Sequence, residues 1–139
     1  MDKQLVKDWM STDPVLASPD TPLLEVQKLF REHRIRRVPI VDAHGKLLGI
    51  VSLHDVYEAK PSDATTLSIH EINYLIARLK ISEIMTKNPI MVTPDTSMAE
   101  AARIMMEHKI GGLPVVENGT LVGILTETDV FRMVVEVLT

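Results

Sequence analysis

Two ten-residue stretches of this chain share one pattern: HRIRRVPIVD at residues 33–42 and HKIGGLPVVE at residues 108–117. Each begins with histidine, a basic residue and isoleucine, and each continues into an apolar run that contains a proline. A short apolar run bounded by polar residues is typical of a buried strand. The same local structure is therefore expected twice in this chain.

The similarity extends far beyond these two stretches. Residues 6–42 align without gaps on 81–117, with 11 identities in 37 positions, and residues 45–56 align on 119–130, with 6 identities in 12. Proline, glycine and aspartate recur in register with the apolar residues, which argues against a chance likeness of two amphipathic segments. The chain is therefore a tandem repeat, and two such small units are expected to bury their apolar faces together.

Each repeat of about 50 residues is predicted to form a strand, a helix, two strands and a second helix. Thr21 and Thr96 are the predicted N-caps of the first helices, with Pro22 in the first helical turn. The buried faces of these helices are predicted at 3–4 residue spacing: Leu23, Val26 and Phe30, and Met98, Ala101, Ala102 and Met105. The predicted strands cover 15–17, 38–41 and 47–52 in the first repeat, and 90–92, 113–116 and 121–126 in the second. The closing helices are expected to begin near Asp55 and Asp129, which gives an α/β (α+β) fold class.

A connector separates the repeats. It contains a polar stretch at 60–63 and then a predicted helix, whose start at 68–71 (Ser-Ile-His-Glu) has the form of a capping box. The apolar stripe of this helix consists of Ile72, Leu75, Ile76 and Leu79, and it is expected either to pack on the repeats or to serve a partner protein. The predicted division is residues 5–58 for the first repeat, 59–80 for the linker and connecting helix, and 81–139 for the second repeat.

The composition excludes several classes of protein. Of the 139 residues 45% are apolar and 24% charged, which argues against intrinsic disorder. No cysteine is present, so disulfides and thiolate metal sites are excluded. A net charge of −4 and 4% aromatic residues argue against nucleic-acid binding. No apolar run reaches the length of a membrane span or of a secretory signal, so a cytoplasmic protein without membrane contact is expected.

These repeats resemble a tandem pair of cystathionine-beta-synthase (CBS) domains over about residues 5–137. The matching motifs are Trp-Met (9–10) and Ile-Met (84–85) at the repeat starts, Pro-Asp-Thr before each helix, the two quoted stretches, and GIVSLHD (49–55) with GILTETD (123–129). The connector at 67–75 also resembles that of bacterial acetoin-utilisation B-type proteins. The resemblance implies a regulatory module without enzymatic activity that senses adenosine-containing ligands, such as AMP, ADP, ATP or S-adenosylmethionine. It also implies pseudo-twofold symmetry, with two clefts between the repeats.

The resemblance assigns the first cleft to residues from both repeats: Val15, Leu16, Arg36, Arg37, Val38, Pro39, Thr126 and Asp129. A carboxylate such as Asp129 accepts hydrogen bonds from ribose hydroxyls, and a guanidinium group suits phosphate. Asp129 is alternatively a helix cap only, and the arginines are alternatively solvated. Because strand side chains alternate, one of Arg36 and Arg37 is expected to face the cleft, with Arg37 preferred.

The second cleft is assigned in the same way to Ile90, Met91, Gly112, Leu113, Pro114, Ser52 and Asp55. Gly111 and Gly112 replace the arginine pair here, which leaves Ser52, backbone N–H groups and His54 or Lys109 for phosphate. Weaker phosphate binding, or a less negatively charged ligand, is therefore expected. The prediction is unequal occupancy of the two clefts.

No catalytic or metal site is predicted. The five histidines share no metal-ligand spacing, and the sequence contains no G-x-S-x-G, P-loop or G-x-G-x-x-G motif. No cofactor is required, and the adenosyl compound is a regulatory ligand. The resemblance further implies a homodimer and a regulated partner protein. A structural or protein-interaction module with unoccupied clefts is the alternative function.

Overall fold

The computed structural model describes residues 4–59 and 66–139, so the polar stretch predicted at 60–63 lies outside the described residues. Seven helices lie within these ranges: α1 (Val6–Trp9), α2 (Leu23–His33), α3 (Leu53–Ala59), α4 (Ile69–Arg78), α5 (Ile81–Ile84), α6 (Met98–His108) and α7 (Glu127–Leu138). The strands described there are β1 (Arg37–Val41), β2 (Leu47–Ser52), β3 (Thr86–Lys87), β4 (Gly112–Glu117) and β5 (Thr120–Thr126). The predicted mixed α/β class is confirmed.

The chain forms two compact units that do not follow its linear order. The β4–β5 unit contains the described chain up to Pro14, the short segment Gly45–Leu47 and the long segment Pro89–Thr139. The β1–β3 unit contains the described residues of Val15–His44 and Leu48–Asn88. Each unit therefore includes the short helix that begins the other sequence repeat, α1 in the β4–β5 unit and α5 in the β1–β3 unit.

An aliphatic core holds the β1–β3 unit together, and α2 covers it with the predicted face of Leu23, Val26 and Phe30. The cluster also includes Ala17 and residues from the sheet and from α3, α4 and α5: Val38, Ile40, Val51, Val56, Ile76 and Ile81. Burying such side chains contributes roughly 1.5–3 kcal/mol each. The connecting helix α4 is thus part of this core through Ile76, with Ile72 and Leu79 at its edge. Leu75, predicted on the same stripe, is exposed.

The β4–β5 unit is built around a hairpin. The strands pair antiparallel from Gly112↔Thr126 to Glu117↔Thr120, with one irregularity between Val115 and Val116. At the turn, Asn118 and Gly119 both have positive φ, at 53° and 81°. This is the backbone that Asn-Gly adopts most readily between two strands. On α6, Met98, Ala101 and Met105 are buried as predicted, while Ala102 is only half-buried.

The predicted N-caps are wrong. Pro22 and Ser97 occupy the cap positions, and Thr21 and Thr96 precede them. The two threonine hydroxyls instead accept from the backbone N–H three residues earlier, of Ser18 and Thr93, at 3.0 and 3.1 Å. A threonine hydroxyl that already accepts a hydrogen bond within the preceding turn does not cap the helix, so each helix begins one residue later than predicted.

The predicted first strands are shorter than expected. Ala17 forms one parallel bridge with Ile40, and Val92 forms one with Val115. Both segments run toward a Ser/Thr-Pro-Asp turn whose threonine is already hydrogen-bonded back to Ser18 or Thr93, so the chain turns away after one bridge. The predicted strands at 38–41, 47–52, 113–116 and 121–126 are confirmed.

Glycine permits the close approach of two backbones in each unit. In the β4–β5 unit, Ser11 and Ile124 exchange backbone hydrogen bonds of 2.9 and 3.0 Å beside Gly123. In the β1–β3 unit, Gly49 pairs with Lys87. A Cβ atom on Gly123 would lie 2.6 Å from the Ser11 carbonyl oxygen, and one on Gly49 would lie 2.7 Å from that of Thr86. Both glycines are therefore required by contact and not by their own dihedral angles.

Ser97→Ala is expected to lower the free energy of unfolding by about 1 kcal/mol, because the Ser97 hydroxyl accepts from Glu100 N at 3.1 Å. Urea unfolding measures this loss. Ser97→Asp retains an acceptor at the cap and should retain the stability. Equal losses in the alanine and aspartate variants would contradict the assignment of Ser97 as the cap.

Candidate functional site

The second Ser/Thr-x-x-Asp motif forms a tight turn where β5 leads into α7. Asp129 is 8% exposed, and its Oδ2 accepts from Thr126 N at 2.8 Å and from Thr126 Oγ1 at 3.3 Å. Asp129 is the third residue of α7, and its carboxylate therefore caps the helix by binding the backbone N–H of Thr126. The predicted helix start near Asp129 is correct to within two residues, and the capping alternative for Asp129 describes a contact that is present.

An arginine one turn later on α7 holds the other carboxylate oxygen. Arg132 Nη2 donates to Asp129 Oδ1 at 3.2 Å and to the backbone oxygen of Trp9 at 2.9 Å. The guanidinium carbon lies 5.7 Å from the centroid of the Trp9 ring, within cation–π range. Trp9 Nε1 in turn donates to Gln4 Oε1 at 2.8 Å. A polar chain thus runs from the carboxylate to the α1 segment of the same unit.

The β1–β3 unit repeats the turn between β2 and α3 with different neighbours. Asp55 Oδ2 accepts from Ser52 N at 2.8 Å, and Ser52 Oγ accepts from Asp55 N at 3.1 Å. The residue that corresponds to Arg132 is Glu58, whose carboxylate binds His54 Nε2 at 2.9 Å. The two motifs therefore share the hydrogen bond from the Ser52 or Thr126 N–H to the aspartate Oδ2, and they differ in charge three residues after the aspartate.

In each unit, the loop that precedes the apolar strand lies beside this turn. Leu53 N donates to Arg36 O at 2.7 Å, and Glu127 N donates to Gly111 O at 3.1 Å. Arg36 is exposed and Arg37 is half-buried, at the start of β1. The β1–β3 unit thus places two arginines beside a Ser-x-x-Asp turn, and the β4–β5 unit places two glycines beside a Thr-x-x-Asp turn.

The short extended segments flank the same strands. Ala17 N donates to Pro39 O at 3.1 Å and Val92 N donates to Pro114 O at 3.0 Å. The apolar residues just before these contacts are half-buried or exposed: Val15, Leu16, Ile90 and Met91. By contrast Val38, Pro39, Gly112, Leu113 and Pro114 are buried. Aliphatic surface next to a strand edge suits the flat faces of a heterocycle.

Each predicted cleft draws its residues from both units. Leu16 and Arg37 belong to the β1–β3 unit, whereas Thr126 and Asp129 belong to the β4–β5 unit. The grouping of these residues into clefts stays a prediction. Sequence reasoning missed Arg132 and Trp9, although the Asp–Arg spacing of three residues on a predicted helix is a signal for such a pair.

The sequence matches the CBS domain family twice, at residues 6–62 and 81–136. The chain belongs to the CBS domain family. The resemblance drawn from the repeat motifs is thereby confirmed, and the two matches correspond to the two sequence repeats.

Solved CBS structures share the fold over almost the whole chain. A putative acetoin utilization protein (AcuB) from Vibrio cholerae is 34% identical with a TM-score of 0.83, over 99% of this chain and 94% of that one. The CBS domain pair of protein MJ0100, in complex with 5′-methylthioadenosine and S-adenosyl-L-methionine, is 33% identical with a TM-score of 0.79, over 97% and 98%. CBSX2 in complex with AMP is 28% identical with a TM-score of 0.82, over 98% and 99%.

CBS sequences of this kind also occur inside longer enzymes. L-aspartate semialdehyde sulfurtransferase of Methanocaldococcus jannaschii is 35% identical over 130 residues, which are 93% of this chain. The chain spans 23% of the length of that enzyme. Within residues 4–59 and 66–139, none of the helices combines the length and apolarity needed to cross a membrane.

Proposed function

We propose that this CBS pair is a regulatory module, without catalytic activity, that binds adenosine-containing ligands such as AMP, ATP or S-adenosylmethionine. The observation that carries the proposal is the buried carboxylate of Asp129, which the Thr126 backbone and Arg132 hold in one orientation. An ionised carboxylate offers only acceptors, so it suits the two hydroxyls of a ribose. The adenosyl ligands of the MJ0100 and CBSX2 structures support this chemistry.

The proposed ligand contacts fall into three groups: contacts to ribose, to phosphate and to adenine. Asp129 and Asp55 accept from ribose, while Thr126 and Ser52 offer hydroxyl groups near helix starts. Phosphate is bound by Arg37 or Arg36. The adenine ring lies against the accessible aliphatic residues beside the strands, Val15 and Leu16 for one ligand and Ile90 and Met91 for the other. It meets the backbone of the adjacent buried strand residues: Val38 and Pro39, and Leu113 and Pro114. At Gly112 the ligand meets backbone alone.

Two unequal sites are expected on titration with AMP. The arginine pair strengthens phosphate binding at one site, and its replacement by Gly111 and Gly112 leaves the other without a guanidinium group. A hydrogen bond to a charged group is worth about 1.5–3 kcal/mol, so the two dissociation constants should differ roughly tenfold or more. Isothermal titration calorimetry with AMP, ATP and S-adenosylmethionine measures both constants.

The same experiment decides whether the proposal stands. Binding of at least one adenosyl compound, with a rise in melting temperature at saturating ligand, supports it, because a ligand that binds only the native state stabilises that state. Two identical sites would refute the inequality. The absence of heat and of a melting shift with all three compounds would refute ligand sensing itself.

A protein-interaction module is the second candidate, and helix α4 favours it. Ile69, Tyr74 and Leu75 on this helix are 75%, 57% and 45% exposed, and Tyr74 and Leu75 line the same surface hollow. Apolar side chains exposed together often mark a binding surface for another protein. Failure of every adenosyl ligand in the melting experiment would favour this candidate. The homodimer and the regulated partner implied by the family remain predictions of the same kind.

A further inference from the structure

We infer that Arg132 is the positioning residue that sets the orientation of the Asp129 carboxylate for ribose and thereby controls discrimination between ribose and 2′-deoxyribose. This inference rests on the proposed function, because it concerns the same ligand contact. It adds a residue that lies outside every predicted cleft and outside the Thr-x-x-Asp motif itself.

The Asp129 carboxylate has few acceptor positions left for a ligand. A carboxylate offers about four lone-pair positions. Thr126 N and Thr126 Oγ1 occupy two on Oδ2, at 2.8 and 3.3 Å, and Arg132 Nη2 occupies one on Oδ1, at 3.2 Å. One position on Oδ1 therefore remains for a first ribose hydroxyl. The Thr126 hydroxyl forms the longest of these bonds, so its rotation would release a second position on Oδ2.

Arg132 restrains the rotation of the Asp129 carboxylate. The torsion that turns an aspartate carboxylate is broad, and hydrogen bonds to Oδ2 alone restrain it from one side only, so the planar carboxylate can still librate. Arg132 removes that freedom because its own position is determined on the other side, by the Trp9 carbonyl at 2.9 Å and the Trp9 ring at 5.7 Å. The Asp129 side chain is 12% exposed, so a small part of it is open to a ligand.

The first repeat has no arginine at the equivalent position. There the residue equivalent to Arg132 is Glu58, which binds His54 at 2.9 Å and carries the same charge sign as Asp55. A glutamate cannot donate to a carboxylate while both are ionised. The inferred control of ribose orientation therefore belongs to Asp129 alone, and it gives the two motifs different demands on the sugar.

The test is calorimetric titration of the full chain with AMP and with 2′-deoxy-AMP. At the site that contains Asp129, the wild type should bind AMP roughly tenfold more tightly than 2′-deoxy-AMP, since one hydrogen bond to a charged group is lost with the 2′-hydroxyl. Arg132→Gln should bring the ratio of the two dissociation constants to within about threefold of one, because the mobile carboxylate no longer presents Oδ1 to that hydroxyl. Arg132→Lys keeps the charge and one donor group, and should restore part of the ratio.

A purely structural role for Arg132 predicts a different result. Loss of packing would weaken the binding of AMP and of 2′-deoxy-AMP by the same factor and leave the ratio of their dissociation constants unchanged. Arg103→Gln is the matched control, because Arg103 on α6 pairs with Glu100 at the same three-residue spacing and is exposed. This control should leave both dissociation constants and their ratio at the wild-type values.

The outcomes separate the two proposals. Absence of AMP binding by the wild type would overturn the proposed function and this inference together. AMP binding with an unchanged ratio in Arg132→Gln would overturn the inference and leave the proposed function intact. If Arg132→Gln does not fold, as judged by its thermal unfolding, the same comparison is made with Arg132→Met, which keeps the aliphatic stem and removes the donor to Asp129. A wild-type ratio in Arg132→Met would overturn the inference in favour of a structural role.

Discussion

Asp129→Ala is expected to weaken AMP binding at the tighter site by about a hundredfold or more. Two hydrogen bonds from ribose hydroxyls to an ionised carboxylate are lost, each worth about 1.5–3 kcal/mol. The methyl group also leaves Thr126 N without its acceptor and Arg132 without its counter-ion. Calorimetry gives the loss of affinity, and urea unfolding gives the accompanying loss of stability, expected at about 1–2 kcal/mol for a removed cap.

Two further variants separate binding from stability. Asp129→Asn keeps the shape and one acceptor for the cap, so it should unfold close to the wild type yet bind AMP much more weakly. Asp95→Ala removes an exposed carboxylate of the same unit, which pairs with Lys7 at 3.2 Å, and should change neither property by much. Wild-type affinity in a folded Asp129→Asn would place ribose elsewhere.

Gly123→Ala is expected to lower the free energy of unfolding by about 3 kcal/mol, at the upper end for overpacking of a close contact. The added Cβ would stand 2.6 Å from the Ser11 carbonyl oxygen and 2.8 Å from Met10 Sδ. The methionine side chain can move, but Ser11 is tied to Ile124 by backbone hydrogen bonds in both directions. Relief of the contact therefore requires the α1 segment to separate from β5.

The sign of this effect is informative because strand propensity alone favours alanine over glycine. Gly119→Ala is the control. No atom lies within 4 Å of its added Cβ, but its φ of 81° is unfavourable for alanine. A loss of about 1–2 kcal/mol is expected there from the backbone alone. Urea unfolding of the two variants compares them directly, and wild-type stability in Gly123→Ala would contradict the close approach of Ser11.

Much of each unit follows from local sequence. The Asn118–Gly119 turn predicts its hairpin because both residues tolerate positive φ, and the spacing of Leu23, Val26 and Phe30 predicts the buried face of α2. The helix caps were less predictable. Thr96 and Ser97 are adjacent and chemically alike, and the choice between them depends on which hydroxyl the Thr93 turn has already used.

The motifs of the candidate site could be predicted from the sequence, whereas the residues that contact its aspartates could not. Asp55 and Asp129 stand at equivalent positions, and the repeat alignment finds both at once. Their differences come from neighbours, since Arg132 binds Asp129 and Trp9 while Glu58 binds His54. The Arg132–Trp9 contact joins residues 123 positions apart, and no local periodicity reports such a pairing.

The repeat follows from aligning the sequence with itself. Periodicity and turn chemistry act over a few residues, so the apolar strands and the two aspartate turns could also be predicted from the sequence alone. The assignment of α1 to the β4–β5 unit and of α5 to the β1–β3 unit required the tertiary structure. The segments around Met10 and Met85 are equivalent in the repeat alignment. By its sequence alone, each segment could therefore pack its methionine against the strand glycine of either unit. Long-range contacts such as Ser11 with Ile124 distinguish the two arrangements, and these depend on surfaces assembled from distant parts of the chain.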